Sequence, residues 1–253
     1  MSGAELRSIA RKSSSFEQIA APGRSFFLHS DLIFSSENSV EATPSSPSVV
    51  YRRAVILASA RRIIAEEGCA QIKMRTLAKL SGVSPPTIYA LVGSRHDVVF
   101  SAIKEALERK FHMAEARATL DNSSPMVAFV VTILSALEAD PAYYKHVIRG
   151  EQLGEIDRST LSAIHMFIAQ QFHACLVRMQ KEGRIRKHSA IAMMTVARTL
   201  ARQMGSTVSY WAQGEYSFRK MRSELIAALL LPVFALASER ERTAMDAWFA
   251  RNC

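Results

Sequence analysis

The chain contains little cysteine for a length of 253 residues. Its three cysteines, Cys69, Cys175 and Cys253, lie far apart and form no Cys-x-x-Cys pair. An odd number at this spacing argues against a disulfide scaffold or a zinc ribbon and is typical of a protein kept in a reducing compartment. We therefore expect a cytoplasmic protein that needs no structural metal.

Long apolar runs are also missing. The longest strongly apolar stretch, Leu225 to Ala237, is interrupted by Pro232 and is shorter than the roughly 20 residues of a membrane helix. The first residues carry charges at Glu5 and Arg7 but no continuous apolar segment of the kind found in signal peptides. The sequence predicts neither export nor a membrane partner.

Motifs that mark catalytic or metal sites are absent as well. The seven histidines are scattered, and only His165 and His173 lie near one helical face, without a His-Glu-x-x-His set. There is no glycine-rich phosphate loop and no Gly-x-Ser-x-Gly elbow. We therefore expect no catalytic residues, no cofactor and no metal site, and we do not expect an enzyme.

The positive charge is concentrated in one segment of the chain. The formal net charge is +9, and Tyr51 to Phe100 contains 8 basic and 3 acidic residues. Basic composition alone is shared by several classes of protein, including those that bind ribosomal RNA, membranes or heparin. The motif in this basic segment is therefore needed to decide between them.

That motif is a helix-turn-helix pattern. Gly82 suits a sharp turn because it can adopt a positive φ, and Ser84 can cap the next helix. Pro85 at the first helical position has no N–H to leave unpaired. Ile88 and Leu91 give this short helix one buried face. Its other face is then free to enter a DNA groove.

The flanking residues complete a compact helical unit. Upstream, Ile56, Ala60, Ile63 and Ile64 repeat with helical spacing in a helix that ends at Gly68. A short helix with an apolar side at Leu77, Ala78 and Leu80 follows. Downstream, Ser94 and Asp97 resemble a capping box at the start of a fourth helix.

At these residues the chain resembles the tetracycline-repressor (TetR) family of bacterial regulators. The resemblance is carried by Ile56-Leu57, Ala60, Gly68, Met74-Arg75-Thr76-Leu77-Ala78, Gly82-Val83-Ser84, Thr87-Ile88-Tyr89 and Ser94-Arg95. It implies that Tyr89 and Arg95 touch phosphates and that Ser84 to Tyr89 reads bases. Lys73 departs from the family's usual Ser or Thr, Arg95 from Lys, and Val92 from an aromatic residue.

The resemblance implies an all-α fold in which a homeodomain-like helix-turn-helix precedes a helical ligand-binding and dimerisation domain. We expect three segments: a flexible Ser-rich tail at 1–48, a DNA-binding domain at 49–100 and a regulatory domain at 101–253. The apolar cluster of Phe26-Phe27-Leu28 and Leu32-Ile33-Phe34 in the tail could instead dock onto the body. The predicted DNA-binding residues are Lys73, Met74, Arg75, Ser84, Pro85, Pro86, Thr87, Tyr89, Ser94 and Arg95.

The segment after Ser101 has helical patterning throughout. We predict helices over Ser94–Leu120, Pro125–Glu138, Pro141–Arg149, Arg158–Lys181, Ser189–Ala212, Glu215–Ser238 and a short piece over Thr243–Phe249. The last two long helices carry broad apolar stripes. In the family such helices pair across a two-fold axis, which implies a homodimer. The alternative is that both stripes are simply internal core.

Adaptable and aromatic side chains in this segment could line an effector pocket. The candidates are Phe129, Tyr144, Met166, Phe167, Gln170, His173, Met194 and Trp211. Their character favours an apolar or aromatic effector. Together these features predict a dimeric transcriptional regulator, in the first instance a ligand-responsive repressor of a palindromic operator. A protein of the same fold controlled by a protein or by DNA itself remains open, as does a helical enzyme or carrier.

Overall fold

A computed structural model describes residues 47–120, 123–186 and 192–252. The predicted tail therefore lies outside the described residues except at 47 and 48. The helices are α1 (Pro47–Glu67), α2 (Met74–Ser81), α3 (Pro85–Leu91), α4 (Arg95–Leu120), α5 (Pro125–Ala139), α6 (Pro141–Gln152), α7 (Arg158–Lys181), α8 (Met193–Gln213), α9 (Phe218–Leu236) and α10 (Glu239–Asn252). No strand occurs in the described residues, and the predicted all-α fold is confirmed.

The first three helices form a head with its own apolar centre. Ile56, Leu57 and Ile64 of α1 and Leu77 of α2 are fully buried against Ile88 of α3. This core continues into α4 and also takes in Tyr143 of α6 and Ile164 of α7. The head is therefore packed directly against the helices that follow it.

The larger body is built around α5. Most of its residues from Pro125 to Leu137 are buried, because α4, α7 and α9 pack around it. At its centre the rings of Phe111 and Phe129 stack with centroids 4.8 Å apart, and Phe172 contacts Phe129 at the same distance. Aromatic burial of this kind contributes much of the apolar stabilisation of a helical core.

Among the described helices, none alone has both the length and the apolar character of a membrane span. Helices α5 and α6 meet these criteria only together, across a bend of 98°.

Several helix ends differ from the sequence-based prediction. Helix α6 runs to Gln152 instead of ending at Arg149, because Gly150 lies inside the helix, where a Cβ would sit 3.2 Å from the Cys69 side chain. Glycine here allows close packing on Cys69 and does not end the helix. Helix α9 begins at Phe218 instead of Glu215, because Ser217 caps it by accepting from the Lys220 N–H at 3.2 Å.

The bounds of α8 and α10 also differ from the predicted bounds. Helix α8 begins at Met193 instead of Ser189, and residues 187–191 lie outside the described part of the chain. Helix α10 is longer than the predicted Thr243–Phe249, because it starts at Glu239 and buries Glu241 and Met245. Helix α7 has the predicted ends.

Candidate nucleic-acid interface and adjoining cavity

The turn between α2 and α3 has the predicted local geometry. Gly82 adopts φ 66° and ψ 27°, the left-handed conformation that ends α2. The Ser84 hydroxyl accepts from the Thr87 N–H at 3.4 Å, and Pro85 and Pro86 occupy the first two positions of α3. The start of α3 is thus fixed by a cap and by two residues that have no N–H.

One side of α3 faces the head and the other faces solvent. Ile88 is fully buried, while Pro86 and Tyr89 are exposed, Tyr89 by 55 %. The Thr87 hydroxyl lies 2.8 Å from that of Ser84, so the two form one polar pair at the beginning of the helix. An exposed helix face with two hydroxyls and a phenol can hydrogen-bond both base edges and phosphates.

The start of α2 adds positive charge beside this face. Lys73 precedes α2 without a side-chain cap, and both Lys73 and Arg75 are exposed. Neither forms an ion pair within the described part of the chain. Met74, also a predicted DNA contact, is half-buried and packs against the head core.

The start of α4 contains the predicted capping box. The Ser94 N–H donates to the Asp97 carboxylate at 2.7 Å, and the Asp97 N–H donates to the Ser94 hydroxyl at 3.3 Å. Because each residue satisfies the other's backbone donor, the first turn of α4 is held rigidly.

Arg95, which the family resemblance places on a phosphate, makes internal contacts in this structure. Its guanidinium donates to the carbonyl oxygens of Cys69 at 2.8 Å and Ile72 at 3.1 Å. These carbonyls belong to the turn between α1 and α2, so Arg95 ties that turn to the start of α4. The side chain is half-buried and holds the head together.

Arg95→Ala is therefore expected to destabilise the protein. The Cys69 and Ile72 carbonyls would lose a charged donor, and we expect the free energy of unfolding to fall by about 1 to 3 kcal/mol. Urea denaturation followed by circular dichroism measures this loss. An unchanged unfolding midpoint together with a loss of duplex binding would instead assign Arg95 to DNA alone.

Polar contacts join the head to α6 and α7. His146 of α6 places Nδ1 2.7 Å from the Ile64 carbonyl, and the Ala70 N–H donates to Glu155 at 3.1 Å. His96, at the start of α4, lies 2.6 Å from Asp157, which caps α7. Hydrogen bonds from Ser159 and Thr160 lower the pKa of Asp157 below its ordinary value. These contacts form the head–body junction.

A cavity of about 770 Å³ lies among α4, α5, α6, α7 and α8. Its walls are mainly apolar, and its size is within the range of small-molecule sites. Of the eight predicted pocket residues, Tyr144 and Met166 line it. Burial raises the pKa of Tyr144 to about 12, so its hydroxyl remains protonated at neutral pH.

The other six predicted residues do not line this cavity. Phe129, Phe167 and Trp211 are buried in the body core, where they contact other rings. Gln170 is exposed, and His173 and Met194 are half-buried. Residue type alone could not separate core from cavity wall. Sequence reasoning missed a set of lining residues comprising Ile103, Leu107, Ile133, Val147, Leu161 and Met204.

The stripes predicted on the last two long helices are largely internal. Val208, Trp211, Met221, Leu225, Leu229 and Val233 are all buried within the protomer. Other apolar positions on the same helices are exposed, Leu231 by 58 % and Tyr210 by 42 %. Pro232, a member of the predicted stripe on α9, is exposed next to Leu231.

Among the described residues, no three His, Cys, Asp or Glu side chains lie close enough together to hold a metal ion. The described cysteines, Cys69 and Cys175, are not in disulfides.

Residues 56–100 match the family of bacterial regulatory proteins called the tetR family. A putative TetR-family regulator from Rhodococcus sp. has a similar structure, with a TM-score of 0.59, 18% identity, and coverage of 75% of this chain and 100% of that one. Thermus thermophilus FadR, a TetR-family repressor solved in complex with lauroyl-CoA, has a TM-score of 0.56, 16% identity, and coverage of 74% and 96%.

SmeT, the repressor of a multidrug efflux pump of Stenotrophomonas maltophilia, has a TM-score of 0.52, 15% identity, and coverage of 74% and 91%. No curated protein matches the chain significantly in sequence. The structural likeness concerns the fold of head and body together, while the sequence match lies in the head. Residues 56–100 are thus similar in sequence to the tetR family of bacterial regulatory proteins, and the chain shares its fold with solved structures of that family.

Proposed function

We propose that this protein is a homodimeric, ligand-responsive transcriptional repressor that binds a palindromic operator. The observation that carries the proposal is the exposed face of α3, which starts at a capped, proline-rigidified turn beside the unpaired cations Lys73 and Arg75. The proposal assigns DNA reading to residues 49–100 and regulation and dimerisation to 101–253. It places the protein in the cytoplasm.

The DNA contacts divide into two groups. Lys73, Arg75 and Tyr89 hold phosphates, because long cations and a phenol can reach the backbone from outside the groove. Ser84, Pro85, Pro86 and Thr87 enter the groove at the beginning of α3, where hydroxyls and a ring can contact base edges. Ser94, exposed just before α4, is a further DNA contact in the proposal. Arg95 acts by holding the turn before α2.

The dimer presents two heads to one duplex. Two-fold protein symmetry requires operator half-sites about 34 to 36 Å apart or a multiple of that distance. Helices α8 and α9 supply the interface, and the exposure of Leu231 and Tyr210 supports this. A surface leucine more than half exposed, next to the exposed Pro232, is more easily explained if a second copy covers it.

An effector in the large cavity would control DNA affinity through α6. Tyr144 and Val147 on this helix line the cavity, while His146 contacts the head at Ile64. A ligand that binds more tightly to one position of α6 would increase the population of that position and so change the distance between the two heads. The size of the population shift is set by the difference between the ligand's affinities for the two states. The apolar walls favour an effector with a substantial apolar part. Lauroyl-CoA bound to the Thermus thermophilus relative supports this class of ligand.

Selection of bound fragments from the source genome tests the proposal. Full-length protein should enrich a small set of fragments that share an inverted repeat, and fluorescence anisotropy should show tighter binding to these than to a scrambled duplex. Uniform recovery of all fragments, or no recovery at all, would contradict the proposed regulator.

Thr87→Ala is expected to relax sequence preference at one operator position per half-site. Loss of a hydroxyl that reads a base should reduce discrimination there by about 1 to 3 kcal/mol. Fluorescence anisotropy with operators that each differ at one base pair measures this loss of discrimination. Thr87→Ser retains the hydroxyl and should keep the preference. If the Thr87→Ala variant and the unaltered protein discriminate equally between the operator variants, Thr87 does not read a base.

A further inference from the structure

A buried phenol stands without a partner beside the large cavity. Tyr143 is 4 % exposed, and its hydroxyl has no hydrogen-bond partner in the structure. Buried polar groups are nearly always hydrogen-bonded, so an orphaned hydroxyl calls for a specific explanation. Burial raises the pKa of Tyr143 far above its ordinary value. The phenol therefore remains a donor at neutral pH, and the described part of the chain supplies no acceptor for it.

The same residue also borders a second, smaller cavity. This basic cleft, of about 350 Å³, lies where α1, α4 and the beginning of α6 meet. Four cations line it, Arg61, Arg62, Arg109 and Lys110, and Asp140 is the one acidic residue in its lining. A concave surface with this charge favours an anion.

The cations of the basic cleft are only partly neutralised. Arg61 and Arg109 share one oxygen of Glu105, at 3.2 Å and 2.9 Å. Arg62 pairs with Glu66 at 2.8 Å across a solvent-exposed turn. Lys110 is half-buried and makes no ion pair in the described part of the chain. Positive charge is therefore left over next to the Tyr143 phenol.

The large cavity and the basic cleft adjoin each other. Tyr143, Tyr144, Lys110 and Ala136 line both. One space is large and apolar, and the other is small and positively charged. A single molecule with an apolar chain and a charged end would fit both, because each part would meet the surroundings it prefers.

We propose that the effector is an amphiphilic anion whose apolar chain fills the large cavity and whose carboxylate or phosphate lies in the basic cleft. The head group accepts a hydrogen bond from the Tyr143 hydroxyl and pairs with Lys110. This inference rests on the proposed function, since it takes the large cavity as the effector site. It gives the effector a charged group, which an apolar or aromatic ligand would not have.

Other cations border the large cavity, but they are poorer candidates for the head group. Arg158, Arg198 and Arg202 line it and are all solvent-exposed. Exposed cations remain hydrated and attract an anion weakly. The same holds for Arg62 and Arg109 of the basic cleft, which leaves Lys110 and Arg61 as its less hydrated cations. No buried polar side-chain atom without a partner is found beside the three arginines of the large cavity among the described residues.

The basic cleft also offers a route from the ligand to the DNA-reading head. Arg61 belongs to α1, whereas Glu105, its partner, belongs to α4. An anion in the cleft competes with Glu105 for Arg61 and so weakens a contact between these helices. Binding of the head group thus changes how α1 is held, while the apolar chain acts on α6.

Calorimetric titration of the full-length protein with three probes of equal chain length tests the proposal. The probes are decanoate, decyl phosphate and decanol. We expect the two anions to bind at least about 10-fold more tightly than the neutral alcohol, because a charged acceptor strengthens the hydrogen bonds. The ratio of the dissociation constants of decanoate and decyl phosphate distinguishes a carboxylate effector from a phosphate effector.

Substitutions at Tyr143 and Lys110 test whether the head group of the ligand lies in the basic cleft. Tyr143→Phe and Lys110→Gln should each weaken anion binding about 10-fold and leave decanol binding unchanged, which also shows that the cavity is intact. Arg202→Gln tests the competing position of the head group in the large cavity. Lys181→Gln, the matched control at an exposed lysine that lines neither cavity, should change neither. Lys110 is only half-buried, so this variant keeps the test valid if Tyr143→Phe proves unstable.

Three results would overturn the proposal. The first is decanol binding as tight as that of the anions. The second is loss of anion binding in Arg202→Gln but not in Lys110→Gln. The third is the absence of binding for all three probes. In each case, selective binding of an inverted-repeat duplex would leave the proposed DNA-binding function standing. Failure of duplex selection would instead contradict that function, whatever the probes do.

Discussion

Replacing both Lys73 and Arg75 with glutamine is expected to weaken binding to every duplex, whatever its sequence. Both cations stand exposed and unpaired at the start of α2. A dimer would lose four phosphate contacts. The slope of log affinity against log salt should then become shallower by about 4, one unit for each contact. Affinity at low salt should fall on the order of 100-fold or more, because charge-assisted contacts are among the stronger hydrogen bonds.

Fluorescence anisotropy over a salt series, with specific and scrambled duplexes, measures both quantities. Lys181→Gln is the matched control, since it removes an exposed cation at the end of α7, remote from the head in sequence. It should leave the slope unchanged. Equal slopes for the double variant and the unaltered protein would mean that α2 does not touch phosphates.

Arg184→Ala is expected to cause the largest loss of stability. Arg184, after α7, donates to Glu241 of α10 at 2.8 Å. The Glu241 side chain is completely buried, and its second carboxylate oxygen has no partner in the structure. Removing the arginine would leave a buried carboxylate without its cation, which should lower the free energy of unfolding by about 3 to 5 kcal/mol.

Urea denaturation followed by circular dichroism measures the loss. Arg62→Ala, which breaks the solvent-exposed pair with Glu66, should leave the free energy of unfolding nearly unchanged. In the double variant Arg184→Ala with Glu241→Ala, the loss should be smaller than the sum of the two single losses, because no charge is left buried. Additive losses would show that the pair does not interact.

The local features of the head could be predicted because they depend on neighbours in sequence. The Ser84 cap and the Ser94–Asp97 box each join residues three apart. The left-handed conformation of Gly82 follows from the turn itself. Helical periodicity predicted the all-α fold in the same way, and the ends of α7 follow from its Asp157 cap.

Features that depend on distant contacts were beyond sequence reasoning. Arg95 has the residue type of a phosphate ligand, but its partners Cys69 and Ile72 lie more than twenty residues away. Gly150 has the residue type of a helix end, but it packs on Cys69. Phe129 and Trp211 could line a pocket by character, but they face the core.

By itself, the sequence determined the helices, the turn that presents α3 and the positive charge of the head, because each of these depends on contacts within one helical turn or on composition. Tertiary structure alone decided which aromatic residues are core and which line a cavity, and it alone placed the Tyr143 phenol between an apolar space and a basic one. Those assignments depend on how α1, α4, α6 and α8 pack together. A side chain's surroundings are set by helices distant in the chain, and no local pattern records them.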